Sequence, residues 1–132
     1  MIKLTILGLP VPKGRPRFSK RGFAYTPKET RRAENNFLAQ AYDHAPEKPL
    51  EGPLKVIMKI YKPKPKSKPK KVIYWTTKPD LDNFVKLLDA LNGVFWVDDS
   101  QIVRLEAEKN YDFQARTEIE IHEIKEEDNV KE

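Results

Sequence analysis

The chain has 132 residues, with 25 Lys and Arg against 20 Asp and Glu, a formal net charge of +5 and no cysteine. This length suits one domain with a real hydrophobic core, and the lack of cysteine excludes disulfide scaffolds and thiolate metal sites. No apolar run approaches the roughly 18 residues of a membrane span, and MIKLTILGLP runs into ordinary domain sequence rather than forming a signal peptide, so we expect a cytoplasmic protein.

The charge is distributed unevenly along the chain. Residues 1–78 carry 19 Lys and Arg against 5 Asp and Glu, whereas residues 79–132 carry 6 against 15. A basic half suggests a polyanionic partner such as nucleic acid, although solubility explains the charge equally well. The acidic residues shift the balance toward nucleic acid, because carboxylates repel phosphates unless a cation lies between them.

The first third of the chain predicts a strand and a helix. IKLTILGL alternates and is rich in β-formers, which predicts a strand over residues 2–9. PVPKGRPRF, with three prolines and a glycine, predicts irregular structure. A capping box from Thr26 to Glu29, with Pro27 at the first helical position, begins a helix that Pro46 ends.

The middle of the chain predicts a strand, a basic loop and a second helix. PLKVIMKIYKP alternates and predicts a strand, and VIYWTT is consistent with a further one. Between them, KPKPKSKPKK at residues 62–71 is low-complexity, extended and strongly basic. A second helix is predicted from about Leu81 to Asn92, with Gly93 as its stop, because apolar residues recur at helical spacing: Leu81, Phe84, Val85, Leu88 and Leu91.

The last third predicts strands. VFWV is interpreted as a short buried strand, and VRLEAEKNY and ARTEIEIHEI alternate and are predicted to pair as a hairpin. The whole chain therefore indicates an α+β fold, with a mixed β-sheet and about two helices packed on it. We expect one domain over residues 1–124, including the basic loop 62–71, and a polar tail over residues 125–132.

Four aspartates flank the second predicted helix in two tight groups: Asp80 and Asp82, then Asp98 and Asp99. The helix covers about 15 Å from its first turn to its end. A strand that runs back from Gly93 covers about 13 Å. The spacing therefore permits the two groups to converge beside the start of the helix.

Such a cluster would need a counterion. Neighbouring carboxylates raise one another's pKa values, and a hard divalent cation relieves that repulsion. Oxygen-only ligands suit Mg²⁺ or Mn²⁺. Lys86 lies one turn beyond Asp82 on the same helix face, where its charge can offset a phosphate or a leaving oxygen, or orient a water molecule.

Each of these residues also has a plain structural explanation. Asp80 can be an N-cap, Asp82 and Lys86 an ordinary i, i+4 ion pair, and DDSQ a solvated turn. The same choice applies to three aromatic residues, which either stack on DNA or pack in the core, and core packing is the expected outcome: Phe18, Phe23 and Trp75.

The motif residues resemble a known family. KPDLDNFVKLLDALNG followed by VFWVDDSQIV, over residues 78–103, closely resembles the RusA family of Holliday junction resolvases. The resemblance rests on D-x-D-N, a lysine four residues after the second Asp, D-A-L-N-G and then D-D-x-Q-[IV]. LPVPKGRPR is similar to the family's proline-rich, basic motif, with less specificity. The KPKPKSKPKK segment matches no family motif.

The resemblance implies a small homodimeric, Mg²⁺-dependent endodeoxyribonuclease that nicks opposed strands of four-way DNA junctions in recombination and repair. It places Asp80, Asp82 and Asp99 on the family's essential carboxylates and Lys86 on its essential lysine. Asp98, next to the third carboxylate, is the weaker candidate metal ligand. We expect Mn²⁺ to substitute for Mg²⁺.

The DNA contacts are expected from basic residues near these motifs, which would hold backbone phosphates without reading sequence: Lys13, Arg15 and Arg17, with Lys78 and Asn83 beside the acids. Two alternatives remain open. One is a nucleic-acid binding module that cuts nothing, with structural aspartates. The other is a Mg²⁺-dependent enzyme that acts on nucleotides, RNA or other branched DNA.

Overall fold

The computed structural model describes residues 1–11, 17–18, 24–25 and 28–125. Its strands in chain order are β1 (Ile2–Leu7), β2 (Arg17–Phe18), β3 (Ala24–Tyr25), β4 (Leu54–Lys62), β5 (Ile102–Tyr111) and β6 (Arg116–Glu123). Four of them form one sheet in the order β1–β6–β4–β5, and β2 pairs with β3 separately. β4 is parallel to β5 and antiparallel to β6, so the sheet is mixed, as predicted.

The helices are α1 (Lys28–Tyr42), α2 (Leu81–Val85), a 3₁₀ helix (Lys86–Leu91) that continues α2, and a 3₁₀ turn (Asp99–Gln101). The second predicted helix is therefore present, but only its beginning is α-helical. In a 3₁₀ helix, residues three apart lie on one face, and Leu88 and Leu91 are both buried by this arrangement. None of the described helices is long and apolar enough to cross a membrane.

The core lies between one face of the sheet and the helices. α1 contacts β1 and the 3₁₀ helix Lys86–Leu91, and the buried side chains of all these elements form one cluster. Apolar residues alternate along β4 because every second side chain faces this cluster. Its side chains with no exposed area are the following: Leu54, Val56, Met58, Ile60, Ala41, Leu91, Phe95, Trp96 and Ile121.

The predicted ends of the first elements are partly confirmed. β1 ends at Leu7 rather than at residue 9, because Gly8 takes a φ of 99°, which interrupts the extended backbone. α1 confirms the first predicted helix. Its expected capping residues, Thr26 and Pro27, lie outside the described residues.

The predicted hairpin between the last two strands is wrong. β4 lies between β5 and β6 and pairs with both of them. Residues 112–115 link β5 to β6 across the end of β4, where the Asp112 N–H donates to the Lys62 carbonyl at 2.9 Å. Alternation fixes which face of a strand is buried and leaves the order of strands open, so β4, the most apolar strand, takes a central position.

The predicted VFWV strand is also wrong. Residues 92–97 form tight turns in which the Gly93 N–H donates to the Trp96 carbonyl at 2.7 Å and the Phe95 N–H to the Leu91 carbonyl at 2.9 Å. Phe95 and Trp96 have no exposed area, so this apolar run reflects burial of a turn. Short apolar runs do not distinguish these cases by pattern alone.

The basic loop is folded rather than extended. Lys64 Nζ donates to the carbonyl oxygens of Pro69 at 3.0 Å and Lys70 at 2.7 Å, which closes residues 64–70 into a compact turn. The expected strand at VIYWTT is reduced to an isolated bridge between Tyr74 and Asn110.

Candidate active site

The first acid group follows a turn that a lysine of β5 holds in place. Lys109 Nζ donates to the carbonyl oxygens of Thr77 at 2.7 Å and Pro79 at 2.6 Å. The Trp75 indole Nε1–H donates to Thr77 Oγ1 at 3.1 Å, from a ring that is almost fully buried. The backbone that leads into Asp80 is thereby fixed to the sheet by side chains outside the acidic motif.

Asp80 and Asp82 present carboxylates without described partners. Asp80 occupies the N-cap position of α2, with φ −65° and ψ 145°, but its side chain makes no capping hydrogen bond. Both side chains are exposed, and among the described residues neither carboxylate has a hydrogen bond or an ion pair. The structural explanation for Asp80 therefore holds for its position and fails for its carboxylate.

Lys86 is exposed at the start of the 3₁₀ helix that continues α2. Its Nζ lies 3.5 Å from Asn83 Oδ1, the outer limit of a hydrogen bond, and no ion pair with Asp82 forms. The simple salt-bridge explanation for this spacing is therefore wrong in the described structure. The ammonium group remains available to a ligand beside Asp82.

The second acid group is bound into its own turn. Asp98 Oδ2 accepts from the Ser100 N–H at 3.1 Å, and Gln101 Oε1 accepts from the Asp98 N–H at 2.8 Å. These contacts form a capping box, and the hydrogen bonds from Ser100 lower the pKa of Asp98 from its ordinary value. Asp99 Oδ1 accepts from the Trp96 indole Nε1–H at 2.7 Å.

Gln101 fixes this turn to the beginning of β4. Its Nε2 donates to the carbonyl oxygens of Leu50 at 2.8 Å and Gly52 at 3.0 Å. Neither Gln101 nor Lys109 was identified from the sequence, where each is an ordinary polar residue of a predicted strand. Only their long-range hydrogen bonds show that they fix the two acid groups.

The two acid groups lie at opposite ends of the β4–β5 pair, so the predicted convergence within one chain is wrong. Lys109 holds the first group at the end where Lys62 pairs with Tyr111, and Gln101 holds the second at the end where Leu54 pairs with Ile102. A nine-residue strand is about 26 Å long. The reason is the tight turn at residues 92–97, which replaces the strand expected to run back along the helix.

Within the part of the chain that the structure describes, no three Asp, Glu or His side chains are grouped so that they could hold a metal ion. The donor chemistry nevertheless suits a hard cation. Asp80 and Asp82 offer carboxylate oxygens that no described group occupies, and Asp99 keeps the oxygen that Trp96 does not bind. One chain therefore supplies the right donors in two separate places.

The predicted DNA contacts are described only in part. Lys78 is exposed next to Asp80, and Asn83 lies half-buried in α2. Lys13 and Arg15 lie outside the described residues, as does the Arg17 side chain, although the Arg17 backbone belongs to β2.

The aromatic predictions are also described in part. Trp75 packs 5.4 Å from the Phe84 ring and is 3% exposed, which confirms core packing for this residue. Phe23 and the Phe18 side chain lie outside the described residues.

The basic loop begins beside the first acid group. Lys62 Nζ lies 4.3 Å from the centre of the Trp75 ring, and Lys109 Nζ lies 5.0 Å from the same centre. These are distances at which an ammonium group is attracted by an indole ring. Trp75 thus connects the start of the loop to the turn before Asp80, and both lie at one end of the molecule.

Two comparisons with known proteins bear on this arrangement. A family model described as Endodeoxyribonuclease RusA matches residues 8–122. The chain is also 39% identical to a Bacillus subtilis (strain 168) protein named "Uncharacterized protein YqaN", over 93% of this chain and 96% of that protein. Both matches cover the two acid groups, Lys86, and the residues that fix them.

Proposed function

The chain belongs to the RusA family of endodeoxyribonucleases, and we propose that it is a Mg²⁺-dependent endonuclease that resolves four-way DNA junctions by paired nicks. The observation that carries this proposal is the family match over residues 8–122, which includes both acid groups and Lys86. Exposed carboxylates at Asp80 and Asp82, beside a basic surface, support it. Recombination and repair are the processes in which such a product is needed.

Asp80, Asp82 and Asp99 are the residues that would hold Mg²⁺, with Asp98 as the weaker candidate and Mn²⁺ as a substitute. A divalent cation bound by these oxygens supplies Lewis-acid polarisation of the phosphate and activation of water. The Asp98 carboxylate is already bonded to Ser100, which explains why it ranks below its neighbour. Asp99 shares only one oxygen with Trp96 and keeps the other.

Lys86 acts as a cation beside the reacting phosphate. Its ammonium group is exposed, makes one long contact to Asn83 and forms no ion pair with Asp82. A lysine that is not neutralised by an internal carboxylate keeps its full charge for the substrate. That charge stabilises the negative charge that develops on the phosphate oxygens in the transition state.

Contacts to the DNA backbone come from the basic residues near the first acid group. Lys78 lies immediately before the Pro79–Asp80 turn, and Asn83 lies one turn into α2. The proline-rich segment supplies the remaining proposed phosphate contacts: Lys13, Arg15 and Arg17. Phosphate contacts of this kind position a duplex arm without selecting its sequence.

The separation of the acid groups supports a homodimer. One chain holds its acid groups at opposite ends of the β4–β5 pair, whereas a metal site needs several carboxylates within a few ångströms. Two chains related by a two-fold axis can each contribute one group to a shared site. The dimer then has two equivalent sites, which suits the two opposed nicks of a four-way junction.

The proposal is tested with a panel of substrates incubated with Mg²⁺, with Mn²⁺ and with EDTA. The panel contains a four-way junction, a duplex, a single strand, RNA and free nucleotides. We expect symmetric nicks in the junction with either cation and none with EDTA. Equal junction binding in all three conditions, without cutting, would identify a binding module instead. Faster turnover of RNA or nucleotides would overturn the substrate assignment.

A further inference from the structure

The outer edge of β5 is only partly covered. β4 pairs with β5 on one side. On the other side, residues 73–75 cover the last part of the strand: the Trp75 N–H donates to the Lys109 carbonyl at 3.1 Å, and the Tyr111 N–H donates back at 2.8 Å. Among the described residues, nothing pairs with residues 102–108 on that side, which leaves seven residues of open edge.

This open stretch lacks the features that normally protect a sheet edge. Its sequence, IVRLEAE, contains no lysine and no proline, the residues that usually block edge-to-edge pairing. Apolar side chains are exposed along it, with Val103 61% and Leu105 45% exposed. An apolar, unprotected edge of this length is expected to be covered by another strand.

The backbone directions define how a second strand can pair. The Lys109 carbonyl and the Tyr111 N–H point to the outer side, and strand alternation directs the N–H and carbonyl of Leu105 to the same side. Leu105 is also the midpoint of the open stretch. A two-fold axis at Leu105 therefore gives two β5 strands a symmetric, hydrogen-bonded antiparallel register.

The side chains favour the same register. With Leu105 at the axis, Arg104 of each chain lies opposite the partner's Glu106, so two pairs of opposite charge face each other. Arg104 has no acidic partner among the described residues of its own chain. Glu106 contacts Lys55 at 3.3 Å and is 62% exposed, so it can accept a second cation. A shift by one residue would instead place two Glu106 side chains opposite each other.

We propose that the occupant of this edge is a second copy of the chain, paired antiparallel through β5 about a two-fold axis at Leu105. The two sheets then form one continuous sheet. This proposal specifies the interface of the dimer invoked under the proposed function. The same register carries the partner's Asp99 toward Tyr111, the end of β5 at which Lys109 holds the turn before Asp80.

Charge reversal tests the register directly. Arg104→Glu and Glu106→Arg each turn two attractive cross-strand pairs into two repulsive pairs, so we expect each to raise the dimer Kd roughly tenfold or more. The double variant R104E/E106R restores opposite charges and should return the Kd to within about threefold of wild type. Both positions are exposed, so the fold tolerates either charge. Sedimentation equilibrium at low salt measures the Kd.

Arg32→Glu, with the same charge change on the exposed surface of α1, is the matched control and should leave the Kd unchanged. Leu105→Lys should weaken the dimer further than either reversal, because it places two ammonium groups at the axis. A dimer that tolerates both reversals and Leu105→Lys would overturn the β5 interface. So would reversals that the double variant fails to rescue. Intact, register-dependent dimers that cut no junction would instead refute the proposed function alone.

Discussion

The two acid groups of this chain are held in opposite ways. At Asp80 and Asp82 the backbone is fixed, by the hydrogen bonds of Lys109 to the turn before them, and the carboxylates are left without described partners. At Asp98 and Asp99 the carboxylates themselves make the hydrogen bonds, to Ser100 and Trp96. The first group is a mounted pair of free ligands, and the second is a structural turn with spare acceptor capacity.

The difference indicates how to separate function from structure at each position. A carboxylate that bonds nothing in its own chain contributes little to folding, so its removal should affect activity alone. A carboxylate that caps a turn contributes to both, so its removal changes stability as well. The predictions below break or sharpen this contrast, and they run from the largest expected effect on cleavage to the smallest.

Asp82→Asn should abolish cleavage and leave the fold intact. The change removes a ligand charge without changing volume, so we expect a fall in cleavage rate of at least about 100-fold. The free energy of unfolding should change by less than about 0.5 kcal/mol, as for other exposed sites without partners. Single-turnover cleavage and urea unfolding measure the two effects, and junction binding should be unchanged or tighter. Wild-type cleavage would remove Asp82 from the site.

Lys86→Ala should slow cleavage by about 10- to 100-fold, through loss of a charge beside the phosphate. Because Lys86 forms no ion pair with Asp82, the unfolding free energy should change by no more than about 0.5 kcal/mol. Lys48→Ala, at another exposed lysine, is the control for a lost surface charge. A large loss of stability with normal cutting would show that Lys86 has a structural role.

Lys109→Met should reduce both stability and activity, which distinguishes it from the two changes above. It removes two hydrogen bonds from a charged donor to the carbonyls of Thr77 and Pro79, which we expect to cost about 1.5–3 kcal/mol of unfolding free energy. Loosening the turn before Asp80 should lower the cleavage rate about tenfold, with junction affinity retained. Lys109→Arg should recover part of the rate. Full activity in Lys109→Met would show that the turn needs no such support.

Asp98→Ala should have the smallest effect on cleavage and a pH-dependent effect on stability. The hydrogen bonds from Ser100 lower the pKa of Asp98 in the folded state, so its stabilisation is present above the ordinary aspartate pKa. This stabilisation is lost as the pH falls through the lowered pKa, where the carboxylate is protonated. The urea midpoint should therefore fall at about pH 7 and match wild type at about pH 2. Equal destabilisation at both pH values would contradict the charge-based capping role.

The sequence predicted the elements whose signal is local. β4 was predicted because Leu54, Val56, Met58 and Ile60 alternate with half-exposed residues, and this pattern follows from burial of one face. The order of the strands was not predictable in the same way. β5 and β6 alternate just as a hairpin would, and only packing places β4 between them.

The candidate site was predictable as a set of residues and not as an arrangement. The spacing of the acids and Lys86 is written in consecutive residues, and a resemblance of motifs identifies it. The position of each group depends on Lys109 and Gln101, which bond to carbonyls 30 to 51 residues away along the chain. It depends also on the turn at residues 92–97, which a run of four apolar residues does not distinguish from a strand.

The chain has two tryptophans, and each lies at one acid group. The Trp75 indole donates to Thr77 in the turn before Asp80, and the Trp96 indole donates to Asp99. Each ring is therefore an intrinsic fluorescent probe of one half of the proposed site. Trp75→Phe would leave emission that reports on Asp99 alone, and a cation titration of that variant would register ligand exchange at the second acid group without any added label.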